Sequence, residues 1–443
     1  MKQKIPHNFF IKNSENYILK LENKIKGEFF MNNPNIITTK TNSFERKNGY
    51  IISGPSGIGK SEELMNQFRI QQAETLIKMY KSLNEENEES QEKEEKEENK
   101  KPMVLVTGGT GYIGSHTVVE LIENGYDVTI IDNLSNSSEI VIDKIQEITG
   151  IRPYFIREDI RNELILDEIF QALKPEAVVH FAGLKAVGES VEKPLEYYDN
   201  NVGGTIALLK VMRRHNCNKI VFSSSATVYG DPDIVPIDEE SPLRTTNPYG
   251  TTKLHIEHML VDMCNADKNF SATLLRYFNP VGAHNSGLIG ENPNGIPNNL
   301  MPRIINVALG KMDKITVFGT DYPTKDGTGV RDYIHVVDLA KGHIKALKHM
   351  ENGLSVYNLG TGTGYSVMEL IDTFNKVNNQ NVEKVLCERR PGDIAKCFAN
   401  PEKAFDELGW KTELSIEDMC KSAWEYAMTS FSTSSGDFHS VSH

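Results

Sequence analysis

The run Met103-Val-Leu-Val-Thr-Gly-Gly-Thr-Gly-Tyr-Ile-Gly114 constrains this chain most, because it joins an apolar, β-rich segment to a glycine turn and then directly to a helix. The helical spacing of "YIGSHTVVELIENG" begins inside the turn and stops at Gly125. "YDVTIIDN", "AVVHFAG", "KIVFSSSATVYG" and "SATLLRYFNPVG" repeat the apolar strand theme, with helical patterns between them. Strands without polar alternation are buried on both faces, so the expected fold is α/β: a Rossmann-type doubly wound parallel sheet covered by helices.

In that setting Gly108-x-x-Gly111-x-x-Gly114 reads as a dinucleotide-binding turn. Gly108 permits the tight turn, Gly111 lets the backbone approach a pyrophosphate, and Gly114 lets the helix pack on the sheet. The helix start then faces the phosphates with free N–H groups and partial positive charge. Asp132 ends the second strand at the distance expected of a ribose-binding acid. A carboxylate there accepts from the 2′- and 3′-hydroxyls and repels a 2′-phosphate, which favours NAD over NADP.

"NPYGTTKLHIEHML" begins with helix-start residues Asn247 and Pro248, which puts Tyr249 and Lys253 one turn apart on one face. An ammonium beside a phenol favours the phenolate, so Lys253 is expected to draw the Tyr249 pKa down toward working pH and make it a general base. Tyr-x-x-x-Lys alone carries little weight. The serines of "SSSATVYG", however, sit at the carboxyl end of a strand in the same sheet, where ligands bind in open α/β folds. Gly turn, Asp, Ser and Tyr-x-x-x-Lys in that order are jointly specific.

A second loop, Gly54-Pro-Ser-Gly-Ile-Gly-Lys-Ser61, fits a P-loop. A P-loop domain needs several strands and an acidic Mg²⁺ residue on another strand, and residues 62–83 offer one helix and no second strand. Residues 1–83 are therefore read as an extension with a P-loop-like fragment and an incomplete fold. Residues 84–101 hold nine glutamates against four lysines and read as a solvated linker; residues 431–443 read as a Ser-rich disordered tail. A net charge of −13 argues against nucleic acid as a partner. Five scattered cysteines without ligand spacing, no signal peptide and no membrane-length apolar run point to a reduced, cytoplasmic protein with no metal and no membrane.

From about Met103 to about residue 430 the chain resembles the extended short-chain dehydrogenase/reductase family, and within it the nucleotide-sugar C4 epimerases. The resemblance rests on "TGGTGYIGSHT", "HFAGLKAVGESVEKPLEYYDNNV", "FSSSATVYGD", "LLRYFNPVGAH", "GIPNNLMP", "DGTGVRDYIHV" and "YNLGTG". It implies that Ser225, Tyr249 and Lys253 are catalytic, with Lys253 also on the nicotinamide ribose. It implies NAD contacts from Tyr112, Ile113, Asp132, Asn133, Asp159, Ile160, Lys185, Asn200 and Tyr277, beside the three glycines and the Tyr249–Lys253 pair. It also implies a nucleotide-sugar grip from Asn279, Asn299, Leu300, Arg331, Arg390 and Asp393, with Cys397 lining the sugar pocket.

The activity implied is reversible oxidation at C4: UDP-galactose and UDP-glucose interconvert through a 4-keto sugar while tightly bound NAD takes and returns the hydride. A small residue at Cys397 extends the expectation to UDP-GalNAc and UDP-GlcNAc. The nearest rivals are nucleotide-sugar dehydratases and decarboxylases on the same scaffold, and a non-catalytic scaffold. Dehydratases follow the catalytic Ser or Thr with an Asp-Glu pair; Ala226 and Thr227 stand here, so epimerisation is favoured. The resemblance further implies an NAD domain over 103–280, a mainly UDP-sugar-binding lobe over 281–430 partly interleaved with it, a homodimer, and no room for a further domain beyond.

Overall fold

The structure, a computed structural model, describes residues 101–436 apart from 294, 296, 298, 391 and 392, with side chains described through residue 430. The P-loop-like fragment, the acidic linker up to residue 100 and residues 437–443 lie outside the described residues.

Thirteen strands are named in chain order. They are β1 (Met103–Thr107), β2 (Asp127–Asp132), β3 (Tyr154–Arg157), β4 (Ala177–His180), β5 (Lys219–Ser225), β6 (Ser271–Tyr277) and β7 (Asn279–Val281), followed by β8 (Ile315–Phe318), β9 (Val330–His335), β10 (Gly353–Leu359), β11 (Gly364–Ser366), β12 (Lys384–Cys387) and β13 (Lys396–Cys397). Seven of them form one sheet in the order β10-β6-β5-β4-β1-β2-β3, and every neighbouring pair in it is parallel. All five side chains of β1 and all seven of β6 are buried, which is why neither strand alternates apolar with polar residues as a half-exposed strand would. The strand order reverses between β1 and β4, so the crevice at their carboxyl ends is the place where such folds hold ligands.

The remaining strands build two smaller sheets. In one, β9 lies between β11 and β13 and also pairs with β7; in the other, β8 pairs with β12. The chain then sends β10 back into the large sheet, between residues that build the small ones. Phe374, Leu370, Ile371 and Ile304 form a second core that carries the small sheets, with Met419 and Cys420 from the helix Ile416–Gly436. That helix runs six residues into the stretch read as a tail, residues 431–436 being helical.

Buried histidines couple this fold to pH. Burial holds the pKa of His116 and His180 down to about 3, and that of His335 and His343 down to about 4. A histidine kept neutral in the fold stabilises fully above its unfolded pKa near 6.5, and that stability drains away as pH falls toward the folded value. Glu120, raised to about 7 mainly by burial, works in the opposite direction. Glu239, Asp332 and Asp338 are likewise raised and His284 lowered by burial; the histidines, which titrate nearest neutrality in the unfolded chain, set the sign of the change as pH falls below about 6.5. The urea midpoint should therefore drop steeply between pH 7.0 and 5.5; a flat midpoint would contradict the burial of these rings.

Candidate functional site

The glycine turn has the shape that its three positions require. Gly108 has φ +72°, and a Cβ there would lie 2.7 Å from the Ala182 amide nitrogen at the end of β4. A Cβ on Gly114 would collide with the Gly108 carbonyl oxygen, so the first turn of the helix Tyr112–Glu123 presses directly on the loop. Gly111 caps that helix with no side-chain hydrogen bond, which leaves the first N–H groups to face the crevice.

Around this turn lies a cleft of about 430 Å³. Gly108, Gly111, Tyr112, Ile113, Gly114, Asp132, Asn133, Asp159, Ile160, Lys185, Asn200, Tyr249, Lys253 and Tyr277 all line it, so the structure brings the whole expected cofactor set to one wall-to-wall site. Asp132 is oriented by the Thr110 and Leu134 N–H groups and by the Ser137 hydroxyl. Asp159 accepts from Asn133 at 2.9 Å; burial opposes its charge, but the Arg161 guanidinium outweighs that and brings its pKa down to about 2. Glycines that admit a diphosphate, an amide-lined helix start and a strand-end carboxylate together fit a dinucleotide.

At the inner end of the cleft, Asn247 caps the helix Pro248–Ala266 through the Gly250 N–H at 2.8 Å, which sets Tyr249 and Lys253 on its inward face. Tyr249 hydrogen-bonds Ser225, whose oxygen also accepts from the Thr227 amide and hydroxyl. The Lys253 ammonium donates to the Ser223 carbonyl at 2.6 Å and sits 5.9 Å from the centre of the Tyr249 ring. The electrostatics correct the sequence-based expectation. Burial pushes Tyr249 up to about 12, only partly offset by Ser225, and pushes Lys253 down to about 8. Desolvation by the closed cleft outweighs an ammonium whose hydrogen bond is directed elsewhere, so the protein alone does not lower the phenol's pKa.

The residues expected to hold the nucleotide sugar lie apart from the cofactor cleft, on and beside the small sheets. Asn279 opens β7, and Arg331 on β9 pairs in register with Cys397 on β13. Arg331 donates to the Val330 carbonyl, and Arg390 pairs with Asp393 at 3.0 Å while stacking 4.8 Å from the centre of the Phe318 ring. Cys397 is buried with Ala226, Val228, Tyr229, Ile237 and Phe278, and burial raises its thiol to about 11. Asn299 stands at the N-cap of the helix Leu300–Ala308 without a side-chain capping bond, and Leu300 opens its first turn.

One residue that sequence reasoning missed links the two sets. Glu291 lines the cleft and accepts from Lys185 at 3.2 Å and from Asn299 at 2.6 Å. No sequence signal would have picked a carboxylate beside an anion-binding turn. Tyr426 and Ser430 also line the cleft from the last helix, about three hundred residues after the glycine turn, and a Cβ on Gly290 would collide with the Tyr426 ring.

Residues 104–360 match the family described as "NAD dependent epimerase/dehydratase family". The chain is 57% identical over 325 residues to a UDP-glucose 4-epimerase of Bacillus subtilis, covering 73% of this chain and 96% of that protein. It is 55% identical over 326 residues to a UDP-glucose 4-epimerase of Dictyostelium discoideum, covering 73% and 95%. A crystal structure of UDP-glucose 4-epimerase from Bifidobacterium longum in complex with NAD+ and UDP superposes with a TM-score of 0.72 at 53% identity, covering 74% of this chain and 98% of that one. With its glycine turn, strand-end acid and Ser–Tyr–Lys group assembled on a doubly wound sheet, this chain belongs to the NAD dependent epimerase/dehydratase family.

Proposed function

We propose that this chain interconverts UDP-galactose and UDP-glucose by reversible oxidation at C4, with NAD held in the cleft. The observation that carries the reading is the pairing of Tyr249 and Lys253 on the wall of a dinucleotide-shaped cleft, with Ser225 hydrogen-bonded to Tyr249. The glycine turn and helix start hold the cofactor diphosphate, Asp132 the adenosine ribose, and Lys253 the nicotinamide ribose. When bound, oxidised NAD supplies the hydride acceptor and a positive charge near the phenol. Ser225 orients the C4 hydroxyl and Tyr249 takes its proton as the C4–H bond yields its hydride. Arg331 and Arg390 grip the sugar diphosphate with planar forks while the 4-keto sugar turns over; C4 would then take back hydride on its opposite face and Tyr249 would return the proton to the C4 oxygen. Buried Ala226, and Thr227 bonded to Ser225, leave no acid to eliminate water, which favours epimerisation over dehydration.

The direct test is incubation of the purified protein with UDP-galactose, without added NAD, followed by anion-exchange chromatography. UDP-glucose supports the reading. A 4-keto-6-deoxy product, or silence after NAD is supplied, overturns it.

The same proposal divides the described chain into an NAD domain over 103–280 and a mainly sugar-binding lobe over 281–430. It includes UDP-GalNAc and UDP-GlcNAc as substrates, because Cys397 is a small side chain at the position that the resemblance assigns to the sugar pocket. Cys397→Tyr should cut UDP-GlcNAc turnover about tenfold or more while sparing UDP-glucose, a difference of roughly 1.4 kcal/mol in transition-state binding. Equal loss on both substrates would refute it.

A homodimer in the cytoplasm completes the proposal. It is supported by the exposed apolar side chains Val191, Leu195 and Ile206 on neighbouring helices, and by cysteines that are all free. Among the described residues, no helix is long and apolar enough to cross a membrane.

A further inference from the structure

Each serine of the triplet that ends β5 is tied to a different residue of the helix Pro248–Ala266. Ser225 bonds the Tyr249 phenol, the Ser223 carbonyl accepts from Lys253, and the Ser224 hydroxyl donates to Glu257 Oε1 at 2.5 Å. Tyr249, Lys253 and Glu257 recur every four residues and so share one helix face. Glu257 is 2% exposed and lies outside the cleft lining.

Its main partner is Arg276 of β6, which grips it with two bonds, Nε to Oε1 at 3.0 Å and Nη2 to Oε2 at 2.8 Å. Arg276 also donates to the Tyr229 hydroxyl at 2.9 Å and to the Glu239 carbonyl at 3.0 Å. Tyr229 donates in turn to Asn358 of β10 at 2.7 Å. The network thus spans β5, β6, β10 and the helix that carries the proton-transfer pair.

A buried ion pair is rarely the cheapest way to stabilise a core, since apolar side chains of similar volume do as well. We propose that Glu257, held by Arg276, is a positioning residue for proton transfer: it sets the helix register against β5 and keeps an anion one turn from Lys253, so that the ammonium stays charged beneath the cleft. This rests on the reaction proposed above. Burial drives Lys253 toward its neutral form, and Glu257 is the charge that opposes this. The other groups near Lys253 are Tyr249 on its own helix, with its ring centre 5.9 Å from the ammonium, His180 from β4, and Tyr277 from β6, which lines the same cleft, while Arg276 is bound to Glu257 itself. Burial keeps His180 neutral and both tyrosines protonated.

The test compares the full chain, with cofactor as purified, with Glu257→Gln and with Glu257→Met/Arg276→Met, which buries no lone charge. Turnover is followed against pH, and Lys253 is titrated by NMR of ¹³Cε-labelled lysine. We expect kcat to fall about tenfold in both variants with KM within about twofold. The alkaline limb of kcat and the Lys253 midpoint should move down together by about one pH unit. Should Glu257→Gln fail to fold, the double variant decides. An unchanged Lys253 midpoint overturns the inference, as does lost activity on an unmoved profile, which marks a purely structural pair. The NMR midpoint does not depend on turnover, so an inactive wild-type protein would refute the reaction while the titration still decided this point.

Discussion

Tyr249→Phe should lower UDP-galactose turnover about a thousandfold while leaving the thermal unfolding midpoint within a few degrees of wild type. The substitution keeps the ring and deletes only the hydroxyl. That hydroxyl's protein partner is Ser225, so the structural cost is one hydrogen bond, about 1 kcal/mol. The catalytic cost is the proton acceptor itself. Residual activity within tenfold of wild type would move the base to another group, and unfolding would make Tyr249 a structural residue. The raised pKa of Tyr249 sharpens the prediction. Since burial holds the phenol protonated at neutral pH, deprotonation has to be driven by positive charge brought into the cleft, and the protein's own contribution is Lys253. Lys253→Met should accordingly resemble Tyr249→Phe in its effect on kcat.

Gly114→Ala is the second large effect. Its Cβ would overlap the Gly108 carbonyl oxygen and come within 2.9 Å of the Gly109 Cα, both backbone atoms that cannot swing aside. The helix must lift from the turn, which withdraws its first N–H groups from the diphosphate position and disturbs packing against buried Val118, Val119, Leu121 and Ile122. A cost of about 2–4 kcal/mol in stability follows from forced repacking, together with loss of bound NAD during purification. The checks are a urea titration and the absorbance of the cofactor released on denaturation. Wild-type cofactor content in the variant would show that the turn does not bind as proposed.

Much of the sheet and of the cofactor site was legible because both are local. The β1–turn–helix unit is written in twelve consecutive residues, and buried parallel strands announce themselves by the lack of apolar–polar alternation. The Tyr249–Lys253 spacing follows from helix geometry alone once Asn247 and Pro248 mark the start. Glu291, Tyr426 and Ser430 were not legible, because each reaches the cleft through contacts with residues far away in sequence. Nor was the direction of the Tyr249 shift. The spacing predicts a lysine nearby, but which effect wins depends on how deeply both groups are buried and where the ammonium directs its hydrogen bond, here to Ser223.

By itself, then, the sequence determined the order of elements, the parallel sheet, the glycine turn and the identity of the residues available for proton and hydride chemistry, since backbone sterics and hydrophobic period act over a few residues. Tertiary structure decided how these groups are charged and held. It placed β10 back in the large sheet, gathered Arg331 beside Cys397, and locked Glu257 to Arg276 beneath the site. Desolvation and ion pairing depend on surroundings built from the whole chain, and no short stretch of sequence contains them.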